Sequence, residues 1–329
     1  MRPTFCIKLP IMKKEYIWPV VGLGAVIFSV YLLYHQLKGI SYDDIVNSLQ
    51  AIPLNGWLLA ALATVGAYVA LAGYDRIALL HLRKKISWRF ITIASFTAYA
   101  IGHNLGASVF SGGVVRYRAY SSQGLSGADV GILVAFCSFT FALGSILLGG
   151  IVLVIQPSML NRFNEDLPTW VGLGAGIGML TLVALYVLGS VLKFRALKIR
   201  HFTLEYPAIP VVWRQLLIGP LELLAAAAII YFALPADSNP GYLLVLGIFL
   251  ASFSAALISH APGGLGVLEV LFLLALPDVN PADVVAALLV FRLFYLLIPF
   301  AVSLVFVVLF EHDQWINRFR NRSKHTDQS

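Results

Sequence analysis

An all-α, polytopic bundle of about eight membrane-spanning helices, with two broken or re-entrant half-helices, is the fold this sequence predicts. Three observations carry it. Hydrophobic residues make up 59% of the chain and charged residues 12%, above and below the proportions of soluble domains. The apolar residues gather in runs long enough to cross hydrocarbon, which takes about 20 residues per helix. One such run is broken at 260–269 by His260, Pro262, Gly263, Gly264, Gly266 and Glu269. Pro and Gly there leave backbone N–H and C=O groups without helical partners, and at membrane depth such groups survive only when buried in protein or lining a wet cavity. A polar cavity is therefore expected at this break.

In chain order, the apolar runs lie near 17–36, 57–80, 88–107, 127–155, 168–192, 210–234, 241–260 and 283–310. The first follows Lys13 and Lys14 but has no small-x-small cleavage site before Asp43 and Asp44, so it reads as an uncleaved signal anchor. The run 264–277 is too short for an ordinary span. No loop is long enough to fold a separate catalytic domain. Residues 1–329 are therefore expected to form a single integral membrane domain, flanked by cytoplasmic segments 1–16 and 312–329. Cys6 and Cys137 indicate neither a disulfide framework nor a thiolate metal site. The net charge of +7 raises nucleic acid as a partner, but the basic residues sit in short blocks beside apolar runs, as the positive-inside rule requires. No nucleic-acid partner, metal or cofactor is expected.

The charge pattern sets the topology. Basic clusters occupy 2–14, 76–89, 116–118, 193–200 and 318–324, whereas Asp43, Asp44, Glu165, Asp166, Asp237, Asp278 and Asp283 lie in loops poor in positive charge. Simple alternation of spans would leave 193–200 outside. All five clusters become cytoplasmic if 108–115 re-enters the membrane, delivering Arg116, Tyr117 and Arg118 to the cytoplasmic face, and if 264–277 returns the chain outward as a short helix. Both termini are then cytoplasmic. The two interrupted segments are weakly alike, Ile101-Gly102-His103 with Ser111-Gly112-Gly113 downstream and Ile258-Ser259-His260 with Pro262-Gly263-Gly264 downstream. Corresponding breaks in two halves of a chain point to a transporter's binding site.

The candidate site residues follow from these breaks. Gly263 and Gly264 lead into a half-helix, whose N–H groups and dipole attract phosphate, although a Gly pair in a span also serves close packing. His260, Pro262 and Glu269 in the same stretch favour function, since intramembrane carboxylates usually face a bundle interior. Glu269 near a helix start is equally a dipole partner. Arg292, deep in the last run, requires an anion, and Glu269, Glu222 or a lipid phosphate are the candidates. Glu222 lies deep beside Pro220, while Arg214 is placed to snorkel. Arg116 and Arg118 are either topology anchors or ligands of a phosphodiester, which suits guanidinium geometry. The glycines at 172, 174, 176 and 178 make two interleaved G-x-x-x-G faces, read as helix packing. No peptidase, esterase or nucleotide-binding motif is present.

Ser111-Gly112-Gly113 followed by Arg116-Tyr117-Arg118-Ala119-Tyr120, then Pro262-Gly263-Gly264-Leu265-Gly266-Val267-Leu268-Glu269, then Arg292-Leu293-Phe294-Tyr295 with Pro299, together resemble the lysylphosphatidylglycerol synthase transmembrane-region family, including the flippase part of multiple peptide resistance factor. The resemblance runs in order over nearly the whole chain. It implies a bacterial inner-membrane protein that handles phospholipid, with these motif residues lining the lipid path. The sequence ends at Ser329 without the soluble aminoacyltransferase domain of the full synthases, so lysine transfer is not expected. The first motif departs from the family pattern by having Val114 and Val115 before Arg116.

The leading expectation is a non-enzymatic facilitator that moves an anionic phospholipid or related lipid between leaflets. The alternatives are a non-transporting scaffold that binds anionic lipid and recruits a lipid-synthesis enzyme, a lipid-modifying enzyme with an intramembrane site, and an accessory protein for polyprenyl-phosphate-linked sugars. The expected consequence for transport is that Arg116→Ala, Arg118→Ala, Glu269→Gln and Arg292→Ala impair it without unfolding the protein.

Overall fold

A computed structural model describes residues 41–105, 108–193, 197–199, 202–204, 206–259 and 262–310. The expected first span, His260 and the two terminal segments lie outside them. Ten helices account for most of the described chain: α1 (Tyr42–Ala51), α2 (Leu54–His81), α3 (Trp88–Leu105), α4 (Ser108–Ser121), α5 (Gly127–Ile155), α6 (Thr169–Val191), α7 (Ile209–Ala233), α8 (Tyr242–Ser259), α9 (Val267–Ala275) and α10 (Pro281–Phe291). The last continues through a π-helical turn, Arg292–Leu297, as one apolar helix to Phe310. Short 3-10 turns at Pro157–Arg162 and Pro262–Gly264 and a two-stranded antiparallel hairpin, β1 (Leu197–Ile199) and β2 (Phe202–Leu204), complete the regular structure among the described residues.

The helical architecture agrees with the sequence reading. Among the described residues, six helices are long and apolar enough to cross a membrane, and they start and end within about three residues of the runs read from composition, a normal boundary scatter. The interrupted elements are shorter. At 1.5 Å per residue, α4 spans about 21 Å and α9 about 14 Å, against about 30 Å of hydrocarbon. Residues 108–115 do not form an isolated re-entrant piece: α4 runs on unbroken to Ser121, because residues 112, 116 and 120 fall on one helical face that is buried throughout.

Small residues set the helix crossings. α2 and α7 run antiparallel in close contact, with Gly56 against the Phe232 carbonyl, Gly66 against Ala225 and Gly73 against Ile218. α5 crosses α7 in the same direction where Gly144 meets Gly219, so tightly that a Cβ on Gly144 would lie 2.6 Å from the Gly219 backbone. One turn away Gln215 Nε2 donates to Thr140 Oγ1 at 2.9 Å. α6 returns along α5, with Gly172 against Pro157 and Gly176 against Gly150 and Leu153. Only one of the two G-x-x-x-G faces read from the sequence packs here: nothing lies within 4 Å of a Cβ on Gly174 or Gly178.

These directions sort the loops by charge. The 82–87 loop meets the start of α5 through Lys84 Nζ and Asp129 Oδ2 at 3.0 Å. The antiparallel pairing of α2 with α7, and of α5 with α6, brings the 193–208 connection to the same end. The opposite end carries Asp278, paired with Arg162, together with Glu165, Asp166 and Asp237, and α1 with Asp43 and Asp44 packs on α10 there. A Ser41–Asp44 capping box closes α1, and its N–H and hydroxyl donors hold the Asp44 carboxyl below its ordinary range.

Candidate functional site

Two buried polar layers cross the bundle. The first lies towards the basic end. Asp75 on α2 and Arg116 on α4 are 0% and 3% exposed, each less than about 10 Å of helix rise from the end of its helix. Arg116 Nε donates to both Asp75 oxygens at 3.2 Å and Nη2 to Oδ1 at 2.9 Å. The guanidinium stacks over the Tyr99 ring at 4.3 Å. Tyr120, one turn beyond Arg116, donates its hydroxyl to Asp75 Oδ2 at 2.8 Å, and the Cys137 thiol lies 3.4 Å from Oδ1. Gly112 makes this arrangement possible: a Cβ there would stand 3.0 Å from the Ala98 carbonyl and 3.3 Å from Arg116 Nη1.

This layer changes the reading of the first motif. Arg116 points inward and is committed to Asp75, whereas Tyr117 and Arg118 lie on the exposed side of α4, as residues one or two apart on a helix must. The structure does not bring Arg116 and Arg118 together as a phosphodiester clamp. Gly113 faces Val134 with ordinary van der Waals space. It follows that Arg116→Ala, expected from sequence to spare the fold, strands a buried Asp75. Sequence reasoning missed Asp75 and gave Cys137 no role. The signal was present, since Asp75 is a carboxylate within an apolar run just as Glu269 is, but its neighbour Arg76 made it look interfacial.

The second layer lies near mid-depth, since Arg292 follows Pro281, and Glu222 precedes Ala233, by about 17 Å of helix rise. The Pro262–Gly264 turn and Gly266 carry it. Gly263, Gly264 and Gly266 have φ of 59°, 65° and 81°, conformations that side chains other than glycine resist. That geometry turns the chain after α8 and aims the Gly263 carbonyl at Arg292 Nη1, 2.9 Å away. Arg292 Nε donates to Glu269 Oε1 at 2.6 Å, while Glu269 Oε2 accepts from the Gly266 N–H at 2.8 Å. Glu269 is thus both the first-turn cap of α9 and the counter-ion of Arg292, the two roles read for it separately. Arg292 Nη2 faces the same Glu269 Oε1 at 2.5 Å, so that one carboxylate oxygen is shared by two guanidinium nitrogens.

Glu222 is 1% exposed and belongs to the same depth but not to the ion pair. Tyr295 donates to its Oε1 at 2.5 Å, and Tyr74 reaches its Oε2 at 3.3 Å while also bonding the Gly219 carbonyl at 3.0 Å. Tyr295 stands in the π-helical turn that begins with Arg292. Such a turn displaces carbonyls from the ordinary helical ladder, and here the Tyr295 carbonyl accepts from Tyr68 Oη and the Leu296 carbonyl from Asn104 Nδ2, each at 3.0 Å. His103 stacks on Tyr295 at 5.4 Å, with its Nδ1 buried and lacking a hydrogen-bond partner among the described residues. α3 connects the layers: Tyr99 lies over Arg116 in one, His103 on Tyr295 in the other, and the helix packs on the Pro262–Gly264 turn. Arg214 is exposed near the start of α7, consistent with snorkelling.

Fold and site together define a multi-pass membrane protein with charged and polar groups held inside the bundle by broken helices. The chain belongs to the family described as the lysylphosphatidylglycerol synthase TM region, whose model matches residues 20–303. It is 30% identical over 92% of its length to the uncharacterized protein slr0712 of Synechocystis, of which it covers 94%. It is 31% identical over 89% of its length to the inner membrane protein YbhN of Escherichia coli, of which it covers 92%. It is also 25% identical over 92% of its length to a phosphatidylglycerol lysyltransferase of Staphylococcus haemolyticus, of which it spans 35%.

Proposed function

We propose that this protein moves an anionic phospholipid, or a lipid of similar head-group charge, between the leaflets of a bacterial inner membrane. The observation that carries the reading is the Arg292–Glu269 pair on the broken turn at mid-depth. Isolated charges at a bilayer centre cost about 2.5 to 3.5 kcal/mol each on insertion scales, so charged groups there usually mark a substrate path. The Arg292 guanidinium, held by Glu269 and the Gly263 carbonyl with its side chain 12% exposed, is placed to trade a contact for phosphate, which guanidinium binds through charge-assisted, often paired hydrogen bonds. A head group arriving at this turn would exchange with Glu269, which retains the Gly266 N–H. The staphylococcal relative is named for phosphatidylglycerol, an anionic lipid of this chemistry. The segregation of basic loops to one end supports a cytoplasmic placement of that end, and with it of both termini.

A second reading, a non-transporting scaffold that binds anionic lipid and recruits a lipid-synthesis enzyme, draws support from the internal pairing of Arg116 with Asp75 and of Arg292 with Glu269. Buried ion pairs often serve architecture alone. Reconstitution separates the two. Purified protein in liposomes carrying head-group-labelled phosphatidylglycerol is expected to expose inner-leaflet label to an external reagent faster than empty liposomes do. Label that stays protected at the empty-liposome rate, with lipid still bound to the protein, favours the scaffold.

A further inference from the structure

Glu222 has no place in the head-group exchange, yet it is the carboxyl buried most completely near mid-depth. Tyr295 and Tyr74 are its hydrogen-bonding partners, and no cationic side chain among the described residues forms an ion pair with it. The other ionisable groups around it are accounted for. Tyr68 on α2 is engaged with the Tyr295 carbonyl. His103 and Tyr99 on α3 stand behind the two partner tyrosines. Arg116 is held by Asp75, and Arg292 by Glu269. The acid is therefore compensated by neutral phenols alone. That is the arrangement of a group that exchanges charge with a proton rather than with a salt-bridge partner, and intramembrane carboxyls without a fixed cation recur in proton relays.

The geometry also supplies a connection. Tyr295 and Arg292 are on the same π-helical turn, so one element holds the Glu222 hydrogen bond and the Glu269 ion pair. The carbonyls of Tyr295 and Leu296, which accept from Tyr68 and Asn104, give that turn a further set of partners to release. π-bulges of this kind cluster at functional sites.

We infer that Glu222 is a proton-binding site, taking a proton from water on one side of the membrane and returning it on the other, and that Tyr295 transmits its charge state to the Arg292–Glu269 pair. Protonation adds one O–H to the carboxyl and removes one negative charge, which changes what the Tyr295 hydroxyl donates to. The proton site stands independently of the transport reading; its coupling to lipid movement rests on that reading.

Infrared difference spectra of the reconstituted protein titrated across pH test the site directly. A protonated-carboxyl C=O stretch is expected to grow as pH falls in the wild type and to be missing from Glu222→Gln. Tyr295→Phe keeps the ring stack on Phe291 and His103 but loses the hydroxyl, so it serves even where Glu222→Gln does not fold, and it is expected to shift both the frequency and the midpoint of that band. An unchanged band in both variants overturns the site. In the same liposomes, an imposed pH difference is expected to change wild-type lipid movement several-fold and to leave Glu222→Gln indifferent. Equal pH responses in the two proteins overturn the coupling. Absence of any wild-type lipid movement defeats the transport reading while the spectra still decide the proton site.

Discussion

The two intramembrane arginines sit in opposite circumstances. Arg116 is closed in: three hydrogen bonds to Asp75, an aromatic face above it, and a carboxylate whose remaining capacity is filled by Tyr120 and Cys137. It lies within an unbroken helix. Arg292 is held by one carboxylate oxygen and one turn carbonyl, beside three glycines in positive φ and at the start of a π-helical turn. Equal residue types therefore divide into a pair shut inside regular helices, with side chains 4% and 0% exposed, and a less buried one, 12% and 10% exposed, on irregular backbone. The distinction lies in burial and in the backbone that carries each pair, not in the presence of charge.

The largest effect that would break this comparison is on stability. Asp75→Ala leaves Arg116 buried without its anion and is expected to destabilise by about 3 to 5 kcal/mol, whereas Asp75→Asn with Arg116→Gln removes both charges, keeps a partner for Tyr120, and is expected to recover most of the loss. Thermal unfolding in detergent, with the two single variants completing the cycle, measures this. A single variant as stable as the wild type would show that the pair does not hold the helix packing. A smaller contrast separates the glycine faces of α6. Gly176→Ala places a Cβ 2.9 Å from Leu153 Cβ and is expected to cost about 1 to 3 kcal/mol by overpacking. Gly174→Ala meets nothing within 4 Å and is expected to leave the unfolding temperature unchanged or slightly raised.

Much of this architecture was legible in the sequence because hydrocarbon is a severe filter. Run lengths placed the long helices, and the charge pattern of the loops matches the ends to which the helix directions carry them. The break at 262–266 was legible because Pro and Gly have so few other uses there, and the partner of Arg292 was among the three named. What could not be read was tertiary. Asp75, Tyr99 and Cys137 are far apart in the chain, and nothing in their local sequence says that they converge on Arg116. Pro299, with no N–H for the Tyr295 carbonyl four residues before it, marks an irregular helix but not a π-helical turn in particular, and Tyr295 becomes a partner of Glu222 only through the packing of α10 on α7. Nor does the glycine spacing of α6 reveal which of its two faces meets α5.

Lipid movement by two variants in parallel tests the central distinction most directly. Head-group exposure is followed in proteoliposomes matched for folded protein, using Arg292→Ala on one side and the Asp75→Asn/Arg116→Gln pair on the other. Loss of a charge-assisted contact worth about 1.5 to 3 kcal/mol is expected to slow the first by tenfold or more, while the second keeps a rate near the wild type. Wild-type rates with Arg292→Ala, or loss of lipid movement confined to the Asp75–Arg116 variant, would contradict the assignment of the exchanging site to the broken turn.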